Sequence, residues 1–146
     1  MIGIVIAAHA DLGVGLLNAV RLIAGEQTNV RTVGLFHGDG IDEFYAKVKK
    51  AINDVEEGEG VLVFNDFLGG TPANTVLRCM REKEFPCIVG VNMPMLLEAF
   101  LTRPNMDNAW QLADYVYGIS KDSIVRLEEV YASSINASGD INDEDF

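Results

Sequence analysis

Four short apolar runs punctuate the chain, at residues 2–8, 30–36, 61–65 and 87–92, each closed by Gly, Asn, Asp, His or another polar break. Runs of this length without polar alternation are the mark of strands buried on both faces. Between them the apolar positions return at helical spacing. Leu12, Leu16, Val20 and Ile23 form the first such set; Phe44, Tyr45, Val48, Ile52 and Val55 form the second, with Lys47, Lys49, Lys50, Asp54 and Glu56 on its outer face. A third helix is expected to start at Thr71 and Pro72 and a fourth at Pro94, because the first helical position does not use the N–H that proline lacks. A fifth is expected over residues 109–117. Residues 123–128 return to alternation, with Ile124 and Val125 beside Arg126 and Leu127, and predict a short last strand.

Strands alternating with helices through links of a few residues predict an α/β fold of three layers, a mostly parallel sheet with helices on both faces. Right-handed crossovers leave few strand orders, of which the flavodoxin-like order 2-1-3-4 suits this length. A chain of 146 residues fits one domain. Its extent is expected to be 1–131, followed by an acidic, disordered tail at 132–146 that holds only Ile135, Ile141 and the final Phe146 as sizeable apolar groups.

Charge narrows the partners. Twenty-two acidic against eleven basic side chains give −11, a balance that repels a nucleic-acid backbone or an anionic membrane surface. Six of the acids lie beyond residue 127, where there is no Lys or Arg. The two cysteines, Cys79 and Cys87, fit neither a CxxC pair nor a zinc pattern, so free thiols in a reducing cytoplasm are expected. The apolar start has no basic flank and ends at His9 and Asp11, too short for a membrane helix, and neither signal peptide nor anchor is expected.

In sheets of this order a ligand sits beyond the carboxyl ends of the strands, where the order reverses, here between the first and third. The first strand ends in Ala7, Ala8 and His9; the third ends in Phe64, Asn65 and Asp66. Topology alone therefore brings one imidazole and one carboxylate together. The following loop, Phe67, Leu68, Gly69, Gly70, Thr71, Pro72, has two glycines that can turn N–H groups toward an anion and a threonine that can cap the next helix. Phe67 and Leu68 stand on the rim, either packing inward or offering an apolar docking surface. His37 is the only other histidine and is expected to have no direct role. The sequence has no GxxxxGK[ST], no GxGxxG opening the first helix, no HExxH and no GxSxG. A neutral imidazole remains as the nucleophile.

Three stretches in register carry a resemblance: Ile4, Val5, Ile6, Ala7, Ala8, His9; Asp66 to Pro72 with Asn74; and Gly90, Val91, Asn92, Met93, Pro94, Met95, Leu96. Over about residues 1–128 the chain resembles the enzyme IIA component of the mannose, fructose and sorbose class of the bacterial phosphoenolpyruvate-dependent sugar phosphotransferase system. The resemblance implies that His9 is phosphorylated, that Asp66 is its carboxylate partner, and that Gly69, Gly70 and Thr71 cradle the phosphate. It implies a carrier that takes the group from the phosphohistidine of HPr and passes it to a IIB component during sugar uptake, with neither nucleotide nor metal as cofactor. It further implies a homodimer that exchanges a C-terminal strand, here residues 123–128. The chain departs from the family at Ala10, where glycine is common. Two other functions remain open at this point: a phosphoryl-donor subunit for dihydroxyacetone kinase, and a regulatory binding module whose histidine is never phosphorylated.

Overall fold

The structure is a computed structural model and describes residues 1–138. Four strands, β1 (Gly3–His9), β2 (Val30–Leu35), β3 (Val61–Asn65) and β4 (Cys87–Val89), form one sheet in the order β2-β1-β3-β4. All three pairings are parallel. The helices between them are α1 (Leu12–Ala24), α2 (Ile41–Val55) and α3 (Thr71–Met80); α4 (Met93–Thr102), α5 (Ala109–Ser120) and α6 (Leu127–Ser138) follow β4. The expected fold class and strand order are therefore those of the protein.

The unbroken apolar character of β1 has a direct cause. Ile4 and Ile6 pack with α1, α4 and α5 on one face, while Val5 and Ala7 pack with α2 and α3 on the other, and all four are fully buried. On α2 the residues Phe44, Val48, Ala51, Ile52 and Val55 are buried at helical spacing, and Asp42 and Glu43 occupy the first turn, where the helix dipole favours negative charge. Asn92 and Asn108 cap α4 and α5, accepting the N–H groups of Met95 and Gln111 at 3.0 Å each. Below the sheet, the guanidinium of Arg103 donates to the carbonyls of Ile2 (3.1 Å), Thr28 (2.6 Å) and Asn29 (3.4 Å) and to Gln27 Oε1 (3.4 Å).

The C-terminal part differs from expectation. Residues 123–128 form no strand: a 3-10 turn, Lys121–Ser123, leads through a short link into α6. A strand exists only beside a neighbour, and within the chain this segment pairs with neither sheet edge. Glu128 and Glu129 instead sit in the first turn of α6, a favourable place for acids. Ile124 and Leu127 are left 84% and 63% exposed. The helix runs across the boundary expected at residue 131, and the rest of the expected tail, 139–146, lies outside the described residues. The fourth strand is also shorter than expected, because Gly90 turns at φ 91° and the N–H groups of Gly90 and Val91 both go to the carbonyl of Asn65 at 3.0 Å. Among the described residues no helix is long and apolar enough to cross a membrane.

Candidate functional site

Strands β1 and β3 lie side by side at the point where the strand order reverses, with Ala7 opposite Asn65. Just beyond that pair, His9, two residues after Ala7, meets Asp66, the residue after Asn65. Oδ2 of Asp66 accepts the main-chain N–H of His9 at 3.0 Å and lies 2.7 Å from His9 Nδ1, while Oδ1 accepts the N–H of Phe67 at 3.1 Å. The Asp66 side chain is 9% exposed and that of His9 is 40% exposed. The carboxylate is the buried anchor and the imidazole the accessible group.

Burial by itself raises the pKa of Asp66, but the N–H and ring of His9 and the main-chain N–H of Asp66 itself outweigh it and hold the carboxyl below its ordinary value. An ionised carboxylate only accepts hydrogen bonds, so Nδ1 of a neutral His9 carries the proton. Nε2 then has a free lone pair and points away from Asp66. This is an imidazole oriented and tautomerically fixed for nucleophilic attack through Nε2.

The glycine-rich loop presses on the same ring. Gly69 adopts φ 95°. A Cβ placed on Gly70 would come within 2.9 Å of His9 Cε1 and 3.1 Å of Phe67 Cζ, so only glycine lets the main chain pass this close. Gly70, in extended conformation, is the cap of α3, with Thr71 as its first residue. Thr71 was expected to cap the helix; it does not, and α3 has no side-chain cap, because the cap position faces the imidazole where only glycine fits. Thr71 instead lines a cleft of about 380 Å³ together with His9. The first turn of α3 offers N–H groups that no preceding carbonyl of the helix can accept, beside this cleft.

Phe67 stacks on His9, with ring centroids 5.1 Å apart and planes at 23°, and still exposes half its surface. Leu68 is almost wholly exposed and lines a separate apolar groove with Val76, Leu77, Met80 and Val89. The loop thus divides its two rim residues: one covers the imidazole, the other faces outward. His37, expected to stand aside, lines the same cleft as His9.

Two positioning residues, Asn65 and Gly34, were not singled out from sequence, and Ala10 was noted only for standing where glycine is common. Asn65 is buried; its Nδ2 donates to the carbonyl of Ala7 at 2.7 Å and its Oδ1 accepts from Cys87 Sγ at 3.3 Å, tying three strands together below the site. The one polar residue closing the apolar run of β3 was its available signal. Gly34 lies where a Cβ would stand 2.2 Å from the carbonyl oxygen of Ala10. Ala10 itself takes φ 49° and donates its N–H to Leu35 O at 2.8 Å, turning the chain sharply after His9. The close approach at Gly34 leaves no local trace in the sequence. Among the described residues no three His, Cys, Asp or Glu side chains group as metal ligands.

Comparison with known proteins gives the family. The family model of the PTS system fructose IIA component matches residues 3–116. The chain is similar to the PTS system fructose-specific EIIA component of Bacillus subtilis (strain 168), 34% identical over 107 residues that cover 73% of each chain. It is also similar to the PTS system mannose-specific EIIAB component of Escherichia coli (strain K12), 33% identical over 116 residues, which are 77% of this chain and 36% of that longer one. The crystal structure of the phosphotransferase system component EIIA from Streptococcus agalactiae superposes with a TM-score of 0.81 at 30% identity, covering 88% of this chain and 99% of that one. With the family model matched over residues 3–116 and the fold shared with a solved IIA component, the chain belongs to the IIA components of the phosphotransferase system, in the family of the fructose IIA component.

Proposed function

We propose that the protein is a phosphohistidine carrier, with His9 Nε2 as the acceptor, phosphorylated HPr as the donor and a IIB component as the next acceptor in sugar uptake. The observation that carries this reading is the 2.7 Å contact between His9 Nδ1 and Asp66 Oδ2 at the reversal of strand order, which leaves Nε2 as the one open nitrogen.

In the transfer step the lone pair of His9 Nε2 attacks phosphorus. The N–P bond to the donor imidazole breaks, its electron pair stays on the donor nitrogen, and the donor ring, protonated on its other nitrogen, leaves as neutral imidazole. His9 keeps its Nδ1 proton and becomes a cationic phosphoimidazole beside the carboxylate of Asp66, which stabilises that charge as it develops. Main-chain N–H groups from Gly69 to Thr71 receive the phosphoryl oxygens. Transfer to the IIB partner is the reverse sequence with a new acceptor. The mannose-specific relative, named as an EIIAB protein, joins the two components in one chain. Phe67 and Leu68 offer the apolar surface on which both partners dock, and the carrier acts in the cytoplasm.

The carrier is a homodimer in this reading. The edge strand β4 is flanked by the groove beside Leu77 and Val89 on one face and a second groove beside Trp110 and Tyr117 on the other. Exposed Ile124, Val125 and Leu127 supply the alternating side chains that such an edge needs, so residues 123–128 of a second copy pair there. Truncation after Gly118 should give monomers or insoluble protein in sedimentation, and a stable truncated dimer would place the interface elsewhere.

Incubation with phosphoenolpyruvate, enzyme I and HPr tests the carrier itself. The expected product is one acid-labile phosphate on His9, absent from His9→Ala although that variant keeps its fold. Unchanged labelling of the variant removes the reading.

A further inference from the structure

We propose that His37 is a second contact for the carried phosphoryl group, donating a ring N–H to its oxygens from the wall of the cleft opposite α3. The proposal rests on the reading of His9 as the phosphoryl acceptor. His9 and Thr71 line the 380 Å³ cleft together with the last residue of β2, Leu35, and the turn that follows it, from Phe36 to Asp39.

Charge favours such a contact. A phosphoryl group on an imidazole brings close to two negative charges into a chain already at −11. Among the described residues that line the cleft there is neither Lys nor Arg. Its one carboxylate, Asp39, is engaged elsewhere, accepting the main-chain N–H of Phe36 at 2.8 Å. Apart from His9, the side chains there that can donate a hydrogen bond are the Thr71 hydroxyl and the His37 ring. Thr71 stands on the α3 side, where main-chain N–H groups already supply donors. His37 is the side-chain donor on the side facing Thr71.

The segment holding His37 is fixed. Asp39 N–H donates to Phe36 O at 3.1 Å, and Gly38, third of the four residues, has φ 88°, as a type II turn requires. The Asp39 carboxylate bonds back to the Phe36 N–H, so the turn is closed in both directions around His37. The ring is therefore swung from a fixed point on the wall of the cleft.

The test is an equilibrium. Full-length wild type, His37→Ala and His37→Gln are each mixed with HPr kept phosphorylated by a limiting amount of phosphoenolpyruvate and enzyme I, and the ratio of phospho-His9 to phospho-HPr is read by phosphorus-31 NMR, with peptide mapping of the site. Loss of one charge-assisted hydrogen bond should shift His37→Ala roughly tenfold toward phospho-HPr. His37→Gln, which keeps a side-chain N–H, should lie between the two. Equal ratios in wild type and both variants, with phosphate on His9, would overturn the role of His37 and leave the carrier reading intact. Phosphate mapped to His37 would make it an acceptor and overturn the proposal. A wild type that takes no phosphate on either histidine would overturn the carrier reading, and this inference with it.

Discussion

The two ends of the sheet solve the same problem in opposite ways. At the amino end Arg103, only 3% exposed, spends its donors on three main-chain carbonyls and one glutamine side chain, above the ring of Phe100. At the carboxyl end Asp66 accepts two main-chain N–H groups and one ring nitrogen, and that ring remains open to solvent. Each end also holds one non-glycine residue in left-handed conformation. Asn29, at φ 53°, tolerates it and uses its side chain to reach the carbonyls of Met1 and Val55; Ala10, at φ 49°, has no side-chain group with which to do so. At the amino end the Arg103 and Asn29 side chains are spent on main-chain carbonyls and serve stability. The carboxyl end retains a strained turn at Ala10 and an accessible ring nitrogen, and there the proposed chemistry takes place.

That contrast breaks most visibly at Arg103. Arg103→Ala leaves several carbonyls without donors and should lower stability by about 3–4 kcal/mol in urea unfolding, with the rate of phosphoryl acceptance per folded molecule unchanged. Asp66→Asn should do the reverse. An amide oxygen can still orient the ring, but the charge facing the cationic phosphoimidazole is gone; rapid-quench rates in both half-reactions should fall roughly a hundredfold, about 2.7 kcal/mol of barrier, while the fold persists. Normal rates in that variant would reduce Asp66 to a residue that merely satisfies its own loop. Gly70→Ala pushes a methyl against His9 Cε1 and should slow transfer roughly tenfold, with less effect on unfolding than Arg103→Ala. At the small end, Ala10→Gly relieves the left-handed turn and should stabilise by about 0.5–1 kcal/mol, measured by the same urea titrations.

Acid sharpens the same contrast. The folded-state pKa of Asp66 lies below its ordinary value, so the stability it contributes is complete above the unfolded carboxylate range, about pH 4, and is lost as pH falls through the lower folded value. Wild type should therefore lose more stability than Asp66→Asn between about pH 4 and pH 2. Parallel urea curves for the two proteins across that interval would contradict the linkage.

Most of the sheet was legible because each strand is an apolar run with polar ends, and the joint position of His9 and Asp66 followed from strand order alone. What escaped depends on contacts between distant segments. Gly34 matters because the carbonyl of Ala10 crosses it, and Gly70 takes the cap from Thr71 because an imidazole from another strand lies there. Residues 123–128 alternate like a strand, yet alternation specifies a face and cannot supply a neighbour. The helix α6 was missed because its Ser- and Asn-containing half has weak helical periodicity, with Ile135 as its one large apolar group beyond Tyr131. His37 is one polar residue in a loop until the turn around it sets it on the wall of the cleft.

In the proposed carrier, the enclosure of the imidazole governs traffic as well as chemistry. Asp66 closes the Nδ1 edge, Phe67 covers one face and the main chain at Gly70 crowds Cε1, so a single nitrogen is left for every visitor. A protein seated over Nε2 excludes any other, and the donor and the acceptor cannot occupy the site together. The steady-state kinetics are then those of a turnstile: parallel double-reciprocal lines, and competitive inhibition by an excess of whichever partner arrives without, or already carrying, its phosphate.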